Sequence, residues 1–550
     1  MAILNHHAIV TNGFDEDALS TFKNGDIVQN FGALTTSGQL ANGVFALANN
    51  VRISNFGQIA TSGDGAQAIF AIGDGVNVDN HASIFTSGQP IVTDDAGDTL
   101  TADAIDVFGN GARVDNWGAI RTEGGSSSAV FTIGDNAVIR NFGALIGDGP
   151  ASAVLGSVGD GNQITNLGPI TVLQGDFTEA LFVQGDNNSL TNKGNITISA
   201  GHFVEAFNSF GNNNSLTNRG DISISGTPYA VGMLLHDGVD SNATNSDDIA
   251  VSNVYGFGMG AGSGGVVAQG LELFNTGRIV TTGDYGVGMV NGAPRFDDVI
   301  PELPPGRHWA PTEQGLIANS GDIDTHGAGA VGILMASDHG RVVNSGRIET
   351  WGGVANYGPM GLTAASGIIA TGDGVSITNS RTGWIETHDA ASPAVQLNVI
   401  DGATPPNAGT STFENQGTVR ARAVAIAGGD GPEVVRNYGS IQGNVDLGAG
   451  QDIYVAGQGG RLNGVLTLGD GNDLLVVERA SGLTRVGDFQ AVGAAHDVID
   501  VHPFFHDLAS LDAAAVQTTG GVLITLDAHD SVFLAGDSLS SLHSYDFIFG

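Results

Sequence analysis

Three aspartates recur at nearly equal intervals and are the first residues whose spacing suggests chemistry. Asp135, Asp160 and Asp186 lie 25 and 26 residues apart. If chain segments stack with that period, neighbouring carboxylates lie about 4.8 Å apart. Two unit charges at that distance repel by roughly 0.9 kcal/mol in water and by ~3.5 kcal/mol at an effective dielectric constant of 20. The column therefore needs solvent or cations, which leaves two interpretations open: solvated turn aspartates or carboxylates bridged by calcium.

Catalytic chemistry has weaker support in the sequence. A β-helical polysaccharide lyase or epimerase needs a base and neutralising groups clustered on one face. The chain has only two lysines, Lys23 and Lys193, and four of its histidines do not share a repeat position with paired carboxylates: His236, His326, His339 and His388. We therefore expect no catalytic residues and a protein that is not an enzyme.

Composition excludes several other classes. The 550 residues carry a net charge of −38 and include no cysteine. Disulfides and thiolate metal sites are thus excluded, and without a basic stripe we expect no nucleic-acid partner. The longest apolar runs fall short of a membrane span, and the N-terminus lacks the basic and apolar regions of a cleavable signal peptide. We expect no membrane insertion.

An internal repeat positions these residues. The pattern Asn-x-Gly-x-Ile, with variants, recurs with a base period of 25 residues. Its fifteen copies begin at Asn30, Asn55, Asn80, Asn116, Asn141, Asn166, Asn192, Asn218, Asn245, Asn275, Asn319, Asn344, Asn379, Asn415 and Asn437.

One repeat, Asn55–Asp79, contains three short alternating runs separated by glycine turns, which predicts strands. The runs are Gln58–Thr61, a segment with Ala68, Phe70 and Ile72 at alternate positions, and a segment with Val76, Val78 and Asn80 on one face. Such short strands bury a face only by stacking on their equivalents. The sequence therefore predicts an all-β, right-handed parallel β-helix of about fifteen coils of ~25 residues.

The asparagine and the glycine of the repeat pattern each have a predicted structural role. The recurring asparagine predicts an amide ladder along the helix. The glycine that follows it is expected to supply a positive φ at the corner.

Four regions follow from the pattern. Residues 1–26 are predicted to cap one end, with a short helix over Asp15–Phe22, and residues 27–443 form the repeat body. Insertions interrupt this body at 293–315, where Arg307, His308 and Trp309 suggest either a contact site or a packed loop, and at 88–104. The second insertion carries Asp94, Asp95, Asp98 and Asp103, as a solvated acidic loop or a weak cation site.

The third region, residues 444–480, contains two copies of the pattern Gly-x-Gly-x-Asp followed by an apolar strand. These are Gly448-Ala-Gly-Gln-Asp452 and Gly469-Asp-Gly-Asn-Asp473. They resemble the RTX, or hemolysin-type, calcium-binding repeats. The resemblance implies calcium as a cofactor, side-chain ligands from Asp452 and Asp473 with Asp470 in the same site, and turns shaped by Gly448, Gly450, Gly469 and Gly471.

The fourth region, residues 481–550, resembles the C-terminal region of proteins exported by type I secretion. The shared marks are predicted strands at Asp497–Asp500 and Asp530–Leu534 and the terminal segment Asp546–Gly550. The resemblance implies an uncleaved C-terminal signal and an extracellular or cell-surface location.

The sequence therefore predicts a secreted, calcium-binding, self-associating structural protein of the bacterial surface: a surface layer, a filament, a matrix subunit or an adhesin. Cell-surface polysaccharide is a further partner to consider. Two alternatives stay open. One is a polysaccharide-active β-helix enzyme, and the other is a carbohydrate- or ice-binding module that uses solvent-facing threonine columns at Thr35, Thr61, Thr86, Thr122 and Thr171.

Overall fold

A computed structural model describes residues 2–92, 99–199, 201–226, 228–262, 268–292, 312–356, 362–398, 409–493 and 495–550. The chain divides into two units, 1–260 and 261–550. Each unit is built mainly from stacked parallel strands, as the repeat predicts. Among the described residues, no helix is long and apolar enough to cross a membrane.

In the first unit, each coil contributes one strand to each of three columns. The first column, which ends on the repeat asparagine, contains Ala2–Asn5, Ile27–Asn30, Arg52–Asn55, Asn77–Asn80, Arg113–Asn116, Val138–Asn141, Gln163–Asn166, Ser189–Asn192, Ser215–Asn218 and Asn242–Asn245. The second contains Ile9–Thr11, Leu34–Thr36, Ile59–Thr61, Ile84–Thr86, Ile120–Thr122, Leu145–Gly147, Ile170–Val172, Ile196–Ile198, Ile222–Ile224 and Asp248–Val251. The third contains Leu19–Thr21, Val44–Leu47, Ile69–Ile72, Ile105–Phe108, Val130–Ile133, Ala153–Val158, Glu179–Gln184, Val204–Phe210 and Ala230–His236. Gly256–Gly262 spans the unit boundary, and the 88–104 insertion adds the antiparallel pair Ile91–Val92 and Thr99–Leu100.

The second unit, taken by itself, has three columns of the same kind. Its first column contains Glu272–Asn275, Leu316–Asn319, Arg341–Asn344, Ser376–Asn379, Ser411–Asn415, Glu433–Asn437, Ile453–Ala456, Leu474–Val477, Val498–Asp500 and Phe547–Ile548. The second contains Arg278–Thr281, Asp322–Thr325, Arg347–Thr350 and Trp384–Thr387, and the third contains Val287–Asn291, Val331–Met335, Ile368–Ala370 and Val395–Gln396. Two long strands follow, Thr418–Ala427 and Ser440–Asp446, and each contributes to both the second and the third column. Their pairing contains register shifts between Arg420 and Val424 and between Val424 and Ile426.

The last coils are shorter and end in a small antiparallel sheet. Their strands are Arg461–Asn463, Leu466–Thr467, Leu483–Val486, Ala515–Thr518, Gly521–Thr525 and Ser531–Ala535, with the α-helix Leu508–Asp512 and 3-10 turns at Leu539–Ser541 and Ser544–Asp546. Small parallel pairs join Ala268–Gln269 to Thr312–Glu313 and Ala449–Gly450 to Asp470–Gly471, and an antiparallel pair joins Ala355–Asn356 to Leu362–Thr363. The strands Val498–Asp500 and Ser531–Ala535 lie within one residue of the strands predicted at Asp497–Asp500 and Asp530–Leu534.

Parity in the third column differs from the sequence prediction by one residue. Ile69 and Ala71 are fully buried, whereas Phe70 is only half-buried and faces outward. Its ring lies 5.7 Å from that of Phe45 in the preceding coil. The error arises because both parities of this segment are apolar, so the alternation alone does not say which side faces the core.

The threonine columns are also placed differently. Thr61, Thr86 and Thr122 are at most 1% exposed and pair in register along the inner side of the second column. The prediction of a solvent-facing column is therefore wrong for these three residues. Thr35 is exposed and Thr171 is half-buried, but these two pair with Ala60 and Ile146 and not with the other threonines of the predicted column.

The predicted asparagine ladder is confirmed in both units. Each amide nitrogen donates to the carbonyl oxygen of the next asparagine at 2.7–2.9 Å from Asn30 to Asn245 and at 2.9–3.0 Å from Asn275 to Asn437. These side chains are buried, so the ladder satisfies polar groups that would otherwise destabilise the core.

The glycines that follow the ladder asparagines in the pattern do not adopt the positive φ that we predicted. Glycine is needed at these corners because a larger residue would clash with the neighbouring coil, and not because of its backbone conformation. A Cβ on Gly143 would lie 2.0 Å from the carbonyl oxygen of Gly118, and one on Gly168 would lie 2.0 Å from that of Gly143. At these glycine corners consecutive coils leave no room for a Cβ, whereas the equivalent corners after Asn80 and Asn245 carry side chains, at Ala82 and Asp247.

Residues 2–26 form one more coil of parallel strands, and the helix predicted over Asp15–Phe22 does not occur. The strand Ala2–Asn5 pairs in parallel with Ile27–Asn30. The amide of Asn5 donates to Asn30 at 2.8 Å, which adds a ladder member that the sequence pattern missed. The expected contact loop with Arg307, His308 and Trp309 lies outside the described residues, as do Asp94, Asp95 and Asp98.

Candidate functional site

A column of four buried carboxylic acids lies in the C-terminal coils. Four strands that pair in parallel begin at, or directly after, these acidic residues: Glu433, Asp452, Asp473 and Asp497. The four side chains therefore stack in consecutive coils. Each is at most 2% exposed. The backbone N–H of Glu433 donates to Asp452 Oδ1 at 2.7 Å, that of Asp452 to Asp473 Oδ1 at 2.8 Å, and that of Asp473 to Asp497 Oδ1 at 3.2 Å.

The same corner of the first unit holds asparagine. Asn162, Asn188 and Asn214 occupy the position four residues before the ladder asparagine, as Glu433 does before Asn437. Their carbonyl oxygens accept backbone N–H groups at 2.7 Å in the same way. The C-terminal coils thus replace a neutral amide with an ionisable carboxyl group at an equivalent buried position.

The second oxygen of three of these carboxyl groups accepts no hydrogen bond from an N–H or hydroxyl donor: Glu433 Oε2, Asp452 Oδ2 and Asp473 Oδ2. The carboxyl group of Glu433 lies within hydrogen-bond reach of that of Asp452, and the carboxyl group of Asp473 lies within reach of that of Asp497. A buried anion without a partner is strongly disfavoured, so such a group binds a proton or a cation. Burial, followed by the neighbouring Glu433 carboxyl, raises the pKa of Asp452 to about 9. Burial also raises the pKa of Glu433, of Asp473 and, to about 6, of Asp497.

The two glycine-rich segments stack on each other. Ala449–Gly450 pairs with Asp470–Gly471, and Gly448 and Gly469 adopt φ values of +86° and +94°. A Cβ on Gly471 would lie 1.9 Å from the carbonyl oxygen of Gly450. Asp452 and Asp473 therefore belong to one column, whereas the side chain of Asp470 is exposed. Glu433 and Asp497 join the column without any Gly-x-Gly-x-Asp pattern.

The aspartates at 135, 160 and 186 also stack, but on the surface. Asp135 Oδ1 accepts the backbone N–H of Asp160 at 2.9 Å, and Asp160 Oδ1 accepts that of Asp186 at 2.8 Å. Asp186 Oδ1 in turn accepts from the backbone and side chain of Asn212 at 2.8 and 3.0 Å. Asp135 and Asp160 are exposed and Asp186 is half-buried. One oxygen of each accepts a hydrogen bond from the next coil, and this stacking does not require a cation.

A groove on the first unit combines aromatic and acidic side chains. Phe108, Phe131 and Phe182 line it together with Asp103, Asp106 and Glu179. Phe131, Gly156 and Phe182 are in register in consecutive coils. Since Gly156 has no side chain, the ring of Phe131 covers it, and a Cβ there would lie 2.7 Å from that ring.

Two aspartates at the base of this groove have different environments. Asp103 accepts a hydrogen bond from Thr101 Oγ1 at 2.5 Å and another from the backbone of Ser128, and burial raises its pKa to about 6. Asp106 Oδ2 accepts from Gln67 at 3.1 Å, whereas its Oδ1 has no partner. Burial, and then repulsion from Asp103, raises the pKa of Asp106 well above its usual value. Asp103 is 4% exposed and is not a solvated loop residue as one sequence interpretation held.

A third cluster, on the second unit, contains Glu349, Glu386 and His388. One ligand atom from each lies within 4.8 Å of the others. His388 does meet paired carboxylates, contrary to the sequence analysis, because Glu349 and Glu386 are in register on adjacent strands and His388 follows two residues later. The unequal spacing of these repeats, which contain insertions, obscured that juxtaposition.

Comparisons with known proteins add a fold relationship. No family model and no curated protein matches the chain. A solved structure described as "a new PL6 alginate lyase complex with trisaccharide" is similar over 76% of this chain and 80% of that chain, with 10% sequence identity and a TM-score of 0.31. The description of that structure names a lyase, which is an enzyme, and we withdraw the expectation that this chain is not an enzyme. At this level of similarity, the match concerns the fold alone.

Proposed function

We propose that this chain is an exported β-helix protein whose C-terminal coils bind calcium through Glu433, Asp452, Asp473 and Asp497. The observation that carries the proposal is the stack of four buried carboxyl groups, three of which have an oxygen that accepts no N–H or hydroxyl hydrogen bond, at a corner where the first unit has asparagine. A divalent cation between coils compensates charges that the protein otherwise neutralises only by protonation.

Ligand chemistry favours calcium over softer ions. The column offers carboxylate oxygens, and carbonyl oxygens of the stacked glycine turns lie nearby in sequence. Hard oxygen ligands in a flexible cage suit calcium, whereas zinc prefers nitrogen and sulfur.

Calorimetric titration of the metal-free full chain with calcium tests this proposal. We expect binding that releases protons at pH 7, because the buried acids must ionise to accept the ion. Asp473→Asn should weaken binding, whereas Asp160→Asn, at the surface column, should leave it unchanged. Equal calcium binding by both variants, or no binding by the unmodified chain, would refute the proposal.

A second candidate function is action on a polysaccharide in the groove of Phe108, Phe131 and Phe182. Aromatic rings beside a few fixed polar groups are typical of ligand sites. We propose Asp106, whose pKa burial raises well above its usual value, as the acid of a glycoside hydrolysis and Asp103 as its base. Because the lining side chains are acidic or neutral and the chain has net charge −38, we propose a neutral glycan as the substrate.

A panel of neutral and acidic polysaccharides, assayed for reducing ends and for retardation in affinity gels, tests the second function. Phe131→Ala should weaken retardation, and Asp106→Asn should abolish cleavage while preserving retardation. Phe45→Ala is the matched control, because Phe45 lies in the same outward column but does not line the groove. Absence of both retardation and cleavage across the panel would disprove this candidate.

Export and assembly extend these proposals. We propose type I secretion to the cell surface and self-association there, as the C-terminal resemblance and the stacked strands suggest. Deletion of residues 481–550 should retain the protein inside the producing cell, and light scattering with saturating calcium should show particles larger than one chain. A secreted truncated chain or a strictly monomeric particle would count against each proposal, respectively.

A further inference from the structure

The cluster of Glu349, Glu386 and His388 is separate from both sites proposed above. Glu349 lies on the strand Arg347–Thr350 and Glu386 on the strand Trp384–Thr387, where the two residues pair directly across the parallel sheet. The side chain of Glu349 is 3% exposed and that of His388 is 23% exposed. The two glutamates lie on the outward side of their strands, since the flanking Ile348 and Ile385 are fully buried.

One polar atom of this cluster is buried without a hydrogen bond. His388 Nε2 has no hydrogen-bond partner, and its closest carboxylate oxygen, Glu349 Oε1, lies 3.9 Å away. A buried polar atom that makes no hydrogen bond in a native fold calls for an explanation such as a bound ion. The imidazole is also fixed in place, because its ring stacks on Trp351 with a centroid separation of 3.6 Å and an interplanar angle of 7°.

The two glutamates are oriented by neighbouring groups. Arg347 donates to Glu349 Oε1, and the indole N–H of Trp384 donates to Glu386 Oε2 at 3.0 Å. Arg420 lies 3.6 Å from Glu386 Oε1. These partners hold the carboxylates next to the imidazole, in the way that outer groups orient metal ligands. They also balance the two negative charges, so a bound ion adds positive charge to a locally neutral network.

We propose that Glu349, Glu386 and His388 form a binding site for a zinc-like divalent transition ion. An imidazole nitrogen with two carboxylate oxygens is a ligand set of borderline ions, and calcium takes oxygen ligands instead. Three protein ligands leave one position of a tetrahedral ion for water or substrate. Ligand atoms around such an ion are roughly 3.3 Å apart, so binding draws the three groups inward by about 1 Å. The two arginines place its affinity below that of a structural zinc site.

Zinc binding by the full chain, in excess calcium so that the carboxylate column is saturated, tests the proposal. The unmodified chain should bind one more zinc ion per chain than His388→Ala, and Glu386→Gln should bind that ion about ten-fold more weakly or worse. His326→Ala is the matched control. His326 stacks on Trp351 like His388, with a centroid separation of 5.9 Å, but it is not part of the cluster.

Cobalt supplies a second measurement that does not depend on counting ions. Co²⁺ bound by three protein ligands should give the strong visible absorption of a four-coordinate ion, and this band should be missing in His388→Ala. Circular dichroism with calcium present should show that Glu386→Gln stays folded. Equal zinc content in the His388 and His326 variants, or a cobalt spectrum like that of the aqueous ion, would overturn the proposal.

Discussion

The C-terminal column can neutralise its charge by binding protons or by binding calcium. Replacing Asp452 with asparagine distinguishes these two possibilities. The substitution keeps the oxygen that accepts the backbone N–H of Glu433 at 2.7 Å. It also recreates the side chain found at the equivalent corner of the first unit, for example Asn188. What it removes is an ionisable group that is 1% exposed.

Without metal, the variant should be more stable than the unmodified chain at neutral pH. Burial raises the folded-state pKa of Asp452 to about 9 from a usual value of 3.8. Between these values the folded state holds a proton that the unfolded state has released, so stability falls as pH rises, by about 1.4 kcal/mol per pH unit. At pH 7 the accumulated loss reaches about 4 kcal/mol as an upper limit, because Glu433 shares the titration. Asparagine does not titrate and escapes this loss.

With calcium bound, we expect the difference in stability between Asp452→Asn and the unmodified chain to change sign. A ligand present at 100 times its dissociation constant stabilises the folded state by about 2.7 kcal/mol. Asp452→Asn loses a ligand oxygen and most of that stabilisation. The variant is therefore expected to be more stable than the parent in chelator and less stable in calcium.

Hydrogen exchange at the amide of Glu433 measures the relevant free energy, since this N–H donates to residue 452 in both proteins. Exchange is followed at pH 6, 7 and 8 with chelator and with calcium, and Asp160→Asn serves as the surface control with an expected change below about 0.5 kcal/mol. A change of the same sign in both conditions, or none in either, would refute the assignment of this column as an alternative proton and calcium site.

Three further predictions concern the coils and the groove. Asn141→Ala removes ladder bonds to Asn116 and Asn166 and one to Gly143, and should destabilise the first unit by about 3–5 kcal/mol in a thermal scan; a change under 1 kcal/mol would contradict the ladder's role. Gly143→Ala forces a Cβ to within 2.0 Å of a carbonyl oxygen and should lower the melting temperature more than a surface alanine substitution such as Asp160→Ala does. Cleavage of a glycan in the groove should rise with pH through about 6 as Asp103 ionises, and a pH profile unchanged in Asp103→Asn would exclude this residue as the base.

Local sequence was sufficient for the coil and its ladder. A 25-residue period, strands too short to bury a face alone, and an asparagine at a fixed position leave stacked parallel strands as the arrangement that satisfies both apolar and amide groups. The degenerate copies at Asn80 and Asn245 follow the pattern too. Handedness stays a prediction from crossover geometry.

Tertiary structure decided the environments on which function depends. The sequence marked Asp452 and Asp473 by their glycine-rich turns, but only stacking adds Glu433 and Asp497, because they are neighbours across coils of unequal length. Insertions likewise hid the approach of His388 to Glu349, and the removal of Asp103 and Asp106 from solvent. The physical reason is common to all three sites. Periodicity fixes which residues share a column, whereas burial and the partner of each oxygen depend on the side chains that neighbouring coils place around them.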